Sequence, residues 1–441
     1  MPTLQVITLG CSKNTVDTEH LLYQVRNAYE IVPEGEERER VDVLLINTCG
    51  FIGDAKEESI QTILTAVTAR KEEGRYGKIL VFGCLSERYR REMPELIPEV
   101  DGWFGARDLA PLVRALGCEP QEGGRRVLTR PGLPYAFLKI SEGCDRHCSY
   151  CAIPLIRGRH RSVPMETLVA EAESLAAEGV RELVIIAQDT TFYGLDLYKR
   201  RALAELLRRL SAVEGIEWLR IHYSYPADFP EDVLEEMAAN PKVCRYMDIP
   251  LQHIADGVLG KMRRGADGAW TRALIARMRE KVPGVALRTT LIVGHPGETP
   301  AAFRELMDFV REARFERMGA FTYSEEEGTW GAEHLEDSVT PLTKRRRLDR
   351  LMLLQQEISR ACNEARVGTE TRVLVDAFAD GILVCRSEFE SPEVDGEILV
   401  RYDASALGGI EPHSLVGSFL RVRIVAADAY DLTADPIGLD E

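Results

Sequence analysis

Six of the ten cysteines stand where sulfur chemistry is the natural reading. The run Gly143-Cys144-Asp145-Arg146-His147-Cys148-Ser149-Tyr150-Cys151 holds three of them at C-x3-C-x2-C spacing. Thiolates are the ligands of iron–sulfur clusters, and a tight loop brings three of them within reach of neighbouring irons. Three thiolates on a four-iron cluster leave one iron without a protein ligand, and an open position is what a catalytic metal needs. A zinc knuckle borrowing His147 is the alternative for the same residues. Structural zinc takes paired two-ligand arms, however, and no second arm with that spacing occurs. Tyr150, beside Cys151, is placed to pack against a cofactor ring or to fill a core.

The other three cysteines are distant in sequence but equivalent in setting. Leu4–Leu9, Val43–Ile46 and Ile79–Phe82 read as buried strands, and Cys11, Cys49 and Cys84 follow them within two or three residues. Ile60, Ile63, Leu64 and Val67 recur between strands at helical spacing. Residues 1–119 are therefore expected to form an open α/β sheet, whose sites lie at the carboxyl ends of its strands. Three thiols on one edge form either a second metal centre or three separate buried thiols.

These cysteine loops need a scaffold. From about 130 to 361, six strands (Tyr135–Ile140, Glu182–Ala187, Glu217–Ile221, Tyr246–Pro250, Leu287–Val293, Met318–Phe321) alternate with helical stretches such as Glu166–Ala177 and Ala301–Glu312. That pattern predicts a partial TIM-type (βα) barrel with chemistry at the strand ends. The residues there are polar: the Cys144 loop, Gln188-Asp189-Thr190-Thr191, Ser224, Gln252-His253 and Gly294-His295-Pro296-Gly297-Glu298. His253 and His295 read as satisfied loop histidines, and Gly294 and Gly297 as turn residues around Pro296. Residues 364–432 carry short β-type runs separated by Asp-Gly and Gly-Gly turns, which predict a small antiparallel β-barrel.

Composition sets the frame. The 441 residues allow about three domains at roughly 150 residues each. A 45% hydrophobic and 29% charged balance excludes wholesale disorder and a fibrous chain. No apolar run approaches the ~18 residues of a membrane span, and no basic lead precedes a long apolar stretch at the start, so a cytoplasmic address without a membrane is expected. Thiols there stay reduced, which favours cluster or redox chemistry over disulfides. A net charge of −16 and a pI near 5.2 match a general nucleic-acid binder poorly. The basic run Lys344–Arg347 reads as a solvated helix face, with Leu348, Leu351, Leu354 and Ile358 on the apolar side. From Arg366 onward, six basic residues stand against fifteen acidic ones. Within that stretch Glu388–Asp395 reads as an acidic ridge suited to a basic protein loop.

With those residues in view, the chain resembles the radical S-adenosylmethionine methylthiotransferase family along nearly its whole length. The strings TLGCSKNTVDTEH, NTCGFIGDAKEESI, FGCLSERY, EGCDRHCSYC and SEFESPEVDGE are similar to the branch that acts on an aspartate of small-subunit ribosomal protein twelve. The resemblance implies two 4Fe-4S clusters, one on Cys144, Cys148 and Cys151 that binds S-adenosylmethionine, and an auxiliary one on Cys11, Cys49 and Cys84. Gln188, Gly294, Gly297 and Glu298 are expected as cofactor neighbours by position, with Tyr150 from its place beside Cys151, and no acid–base catalytic residue is expected. The resemblance further implies a terminal TRAM barrel that docks substrate, an electron donor of flavodoxin or ferredoxin type, and a sulfur donor. A tRNA adenosine methylthiotransferase is the alternative within the family, with tRNA disfavoured by the acidic balance. A non-enzymatic iron–sulfur electron carrier is the reading from another class.

Overall fold

The computed structural model describes residues 1–121 and 123–440. The first sheet contains β1 (Thr3–Thr8), β2 (Glu30–Val32), β3 (Val41–Thr48), β4 (Tyr76–Gly83) and β5 (Gly102–Trp103), all parallel in the order β2-β1-β3-β4-β5. Helices cover both faces, so β3 is buried along almost its entire length, as the unbroken run Val-Leu-Leu-Ile requires. β2 and β5, three and two residues long, are too short to show a periodicity, and sequence reading passes over them.

In the central unit β6 (Tyr135–Lys139) begins the large sheet, and a small ribbon pairs β7 (Ser141–Glu142) with β8 (Arg161–Ser162). The sheet continues with β9 (Glu182–Ile186), β10 (Trp218–Ile221), β11 (Val243–Asp248), β12 (Ala286–Val293) and β13 (Arg317–Thr322). These six strands are parallel in the order β13-β12-β11-β10-β9-β6, an unclosed barrel. The outer face buries Leu138, Leu183, Leu219 and Leu287 against helices that supply Leu168, Leu206, Leu274 and Leu306. On the inner face Val16, from the helix Ser12–Val25, packs with Phe137, Val184 and Ile186, so the first unit covers the barrel beside β6.

The last unit is a closed barrel of β14 (Glu370–Ala379), β15 (Ile382–Arg386), β16 (Ile398–Arg401), β17 (Phe419–Ala427) and β18 (Leu432–Leu439). It departs from the wholly antiparallel expectation at one seam, where β16 and β18 run parallel. Helix Pro341–Glu364 leads into it.

Two surface readings are corrected by packing. Glu388–Asp395 is no free ridge: it lies against the strand beginnings of the central sheet. Glu388 pairs with Arg245 at 2.7 Å, buried Glu390 with Arg317 at 2.9 Å and with Arg366, Glu393 with Arg130, and Asp395 accepts from Tyr246 Oη at 2.6 Å. Ser391 Oγ lies 2.8 Å from His222 Nε2 inside the barrel. Beneath them, fully buried Glu182 is shared by Arg220 of β10 (2.6 Å) and Arg386 of β15 (2.7 Å). The acidic charge is consumed within the chain because five of the six strands present arginines and tyrosines near their starts that need carboxylates. The basic run is likewise split. Arg345 and Arg346 are exposed, but Lys344 and Arg347 turn inward. Lys344 Nζ donates to the Tyr323 carbonyl at 3.1 Å, and Arg347 Nη1 to the Glu298 carbonyl at 3.0 Å.

Candidate metal centre

β1, β3 and β4 are neighbours, so their carboxyl ends place Cys11, Cys49 and Cys84 on adjacent loops. Two glycines allow the loops to close. Gly10 has φ +95°, and a Cβ there would fall 2.8 Å from Cys49 Cβ and 3.1 Å from its sulfur. A Cβ on Gly50 would fall 2.6 Å from the backbone nitrogen of Leu85. Asn14, on the helix that starts after Cys11, ties the set together. Its amide donates to the Leu9 carbonyl (2.8 Å) and the Thr48 carbonyl (3.2 Å), and its Oδ1 lies 3.8 Å from Cys84 Sγ. Exposure rises from buried Cys84 through half-buried Cys49 to exposed Cys11, so the triad opens on one side. Burial pushes the Cys84 thiol up to about 12, against the pull of Arg157, and raises Cys49 as well.

The Cys144 loop leaves β6 through the ribbon. Cys144, Cys148 and Cys151 are each half-buried. Burial pushes Cys144 up to about 12 and Cys151 higher still, with the neighbouring thiols adding to the rise. Thiols this reluctant to ionise become thiolates when a positive centre meets them, and a bound metal deprotonates them outright. Some compensation is built in: the Arg146 backbone N–H points at Cys144 Sγ (3.4 Å) and Arg264 Nη1 at Cys148 Sγ (3.4 Å). Arg264 also donates to Tyr150 Oη at 3.2 Å, and the Tyr150 ring meets His295 edge-on.

Among the described residues no three His, Cys, Asp or Glu side chains close around a point as the ligands of a single ion do. A zinc knuckle through His147 asks for that convergence. A cubane cluster asks for less, because it offers each thiolate a separate iron at a separate corner. An all-thiol donor set on close-packed loops fits such a cluster at both places, and the first set is open on its Cys11 side.

The two cysteine sets share a contact. Cys84 packs on Ala152 and Ile156 of the segment that follows Cys151. Arg157, ending the short helix Ile153–Arg157, reaches into the first unit. It donates Nε and Nη2 to Cys84 Sγ at 3.3 and 3.2 Å, Nη2 to Asn14 Oδ1 at 2.6 Å, and Nη1 to Asp17 at 2.6 Å and Glu142 at 3.2 Å. Glu142 in turn accepts from Gln188 Nε2 at 2.7 Å, while Gln188 Oε1 is buried without a partner.

The Gly294–Glu298 turn is held from below. Glu298 accepts from the Gly294 N–H and pairs with Arg347 at 3.2 Å, and its second oxygen faces His253 at 3.7 Å. A Cβ on Gly294 would strike the Lys344 stem, and one on Gly297 the Lys261 amine. His253 and His295 are fully buried. Arg157 and Arg264 escaped sequence reading, since an arginine after a cysteine loop carries no sign of which sulfur it will meet.

Comparison with known proteins adds three family matches: residues 138–310 to the radical SAM superfamily, 3–105 to the uncharacterized protein family UPF0004, and 367–437 to the TRAM domain. The ribosomal protein uS12 methylthiotransferase RimO of Phocaeicola vulgatus is 50% identical over 435 residues, 98% of either chain. Its counterpart from Porphyromonas gingivalis is 50% identical over 433 residues, again 98% of each. Among solved structures, the radical S-adenosylmethionine methyltransferase TsrM of Kitasatospora setae matches with a TM-score of 0.55 at 15% identity, over 75% of this chain and 74% of that one. At that identity the likeness is one of fold.

Proposed function

The chain belongs to the ribosomal protein uS12 methylthiotransferase family, and from that premise we propose how its own residues serve the reaction. It is a radical S-adenosylmethionine enzyme that adds a methylthio group to ribosomal protein uS12, at the β-carbon of an aspartate. Cys144, Cys148 and Cys151 would hold one 4Fe-4S cluster, and Cys11, Cys49 and Cys84 an auxiliary one. When bound, clusters with an open iron supply the electron that cleaves S-adenosylmethionine and the sulfur that is transferred, chemistry that acid–base groups cannot perform on an unactivated carbon.

The chain's part is to position and to shield. Tyr150, locked by Arg264, forms a wall beside the Cys148 sulfur. Gln188 presents an unpartnered buried oxygen at a strand end, as a group awaiting a donor would. Glu298 fixes the turn by accepting from the Gly294 N–H, and the room a side chain on Gly294 or Gly297 would need is taken by Lys344 and Lys261. Gly294, Gly297 and Glu298 would border the cofactor by their place at a strand end. The closed barrel of β14–β18 covers the opposite, strand-start end of the sheet. The reaction consumes an electron and sulfur, so a reductant of flavodoxin or ferredoxin type and a sulfur donor are partners.

One observation carries this reading: two cysteine triads from distant stretches meet through Cys84, Ala152 and Arg157. The test is to offer cluster-reconstituted protein both uS12 and tRNA with S-adenosylmethionine and a reductant, and to weigh the products. A methylthio group on a uS12 aspartate and none on tRNA is expected. Modified tRNA, or neither product, overturns it.

A further inference from the structure

Arg157 places a charged group on a cysteine of one set from a helix that begins just after a cysteine of the other. Its side chain is 2% exposed, and its guanidinium divides its donors. One edge serves Cys84 Sγ through Nε and Nη2, and the other serves the carboxylates of Asp17 and Glu142. A fork fixed on both edges cannot rotate away from the sulfur. Lys139, bonded to the same two carboxylates, balances their charge, so the guanidinium's positive field is not spent on them alone. Hydrogen bonds and positive charge at a ligating sulfur favour the more reduced, more negative state of a cluster, which raises its potential.

We propose that Arg157 is a positioning residue that raises the reduction potential of the auxiliary cluster and ties Cys84 to the helix following Cys151. This rests on the two-cluster reading above and goes beyond it, because it assigns a tuning group that neither cysteine motif contains. Arg264 stands in the same relation to Cys148, 3.4 Å from its sulfur, and acts on the other cluster only.

The test is a redox titration followed by electron paramagnetic resonance, with each cluster isolated in turn. Protein with Cys144, Cys148 and Cys151→Ala retains the auxiliary site; protein with Cys11, Cys49 and Cys84→Ala retains the other. Into each, Arg157→Met and Arg157→Lys are introduced. In the auxiliary-only protein the midpoint should become more negative with Arg157→Met, and by a smaller amount with Arg157→Lys, which keeps the charge but loses the fork. In the other protein neither variant should move it. If Arg157→Met does not fold, Arg157→Lys decides alone, since its midpoint must still fall. An auxiliary midpoint unmoved by the substitutions overturns the inference and leaves the two-cluster reading intact. An auxiliary-only parent without any four-iron signal overturns both. A purely structural Arg157 would change yield or melting temperature without moving a midpoint.

Discussion

Replacing Glu390 by glutamine tests whether the acidic segment is an internal latch. The Glu390 carboxylate is 1% exposed and is held by Arg317 at 2.9 Å, by the Ser387 backbone N–H at 3.1 Å, and by Arg366. Burial pushes this carboxyl upward, but Arg366 and Arg317 outweigh it and hold it down at about 2. Against an ordinary value of 4.5, at about 1.4 kcal/mol per pH unit, that corresponds to about 3 kcal/mol at neutral pH. The figure agrees with the roughly 3–5 kcal/mol lost when one partner of a buried pair is removed. The sign follows from the depressed folded value. The stabilisation is complete above about 4.5 and is lost as pH falls through about 2, so wild type and Glu390→Gln should differ at pH 7 and converge on acidification. Urea unfolding reports it best through Trp218, which packs edge-on to Phe419 across the same interface with ring centroids 4.9 Å apart. With the other three tryptophans replaced by phenylalanine, the midpoint at pH 7 should fall by about 1.5 M at an m-value of roughly 2 kcal/mol/M. An exposed ridge would give a change within about 0.5 kcal/mol. A shift that small, or one that persists unchanged at pH 2, refutes the latch.

Iron analysis of reconstituted protein should find about eight irons per chain, and Cys144, Cys148 and Cys151→Ala together should leave about half; total loss or no loss contradicts two independent sites. Gly10→Ala forces a Cβ against Cys49 at a positive φ, so it should cost about 1–3 kcal/mol of strain and lower iron content toward half, read by melting temperature and iron assay. Burial pushes Glu171 up to about 7 despite Arg126. The folded chain therefore holds a proton there that the unfolded chain releases, and stability should fall as pH rises from about 4.5 through 7. Glu171→Gln should flatten that slope in denaturation midpoints taken across the range.

Much of the molecule was legible from the chain alone. Unbroken apolar runs such as Val43–Ile46 announce a strand buried on both faces, and a cysteine after each of three such runs lands on one sheet edge by the geometry of parallel sheets. The six parallel strands of the central unit and the polar residues at their ends followed from period and punctuation. Charge was the part that could not be read. Glu388–Asp395 looked like a surface to be offered to a partner, and Lys344–Arg347 like a solvated face, because a sequence records how many charges lie in a row and not what opposes them. Only the tertiary structure brings Arg245 and Tyr246 of β11, Arg288 of β12 and Arg317 of β13 against one acidic segment, and only it sets Arg157 on the sulfur of Cys84. Periodicity is a local property, fixed by backbone geometry within a few residues. The pairing of a charge depends on which distant element packs beside it, and the chain order does not state that.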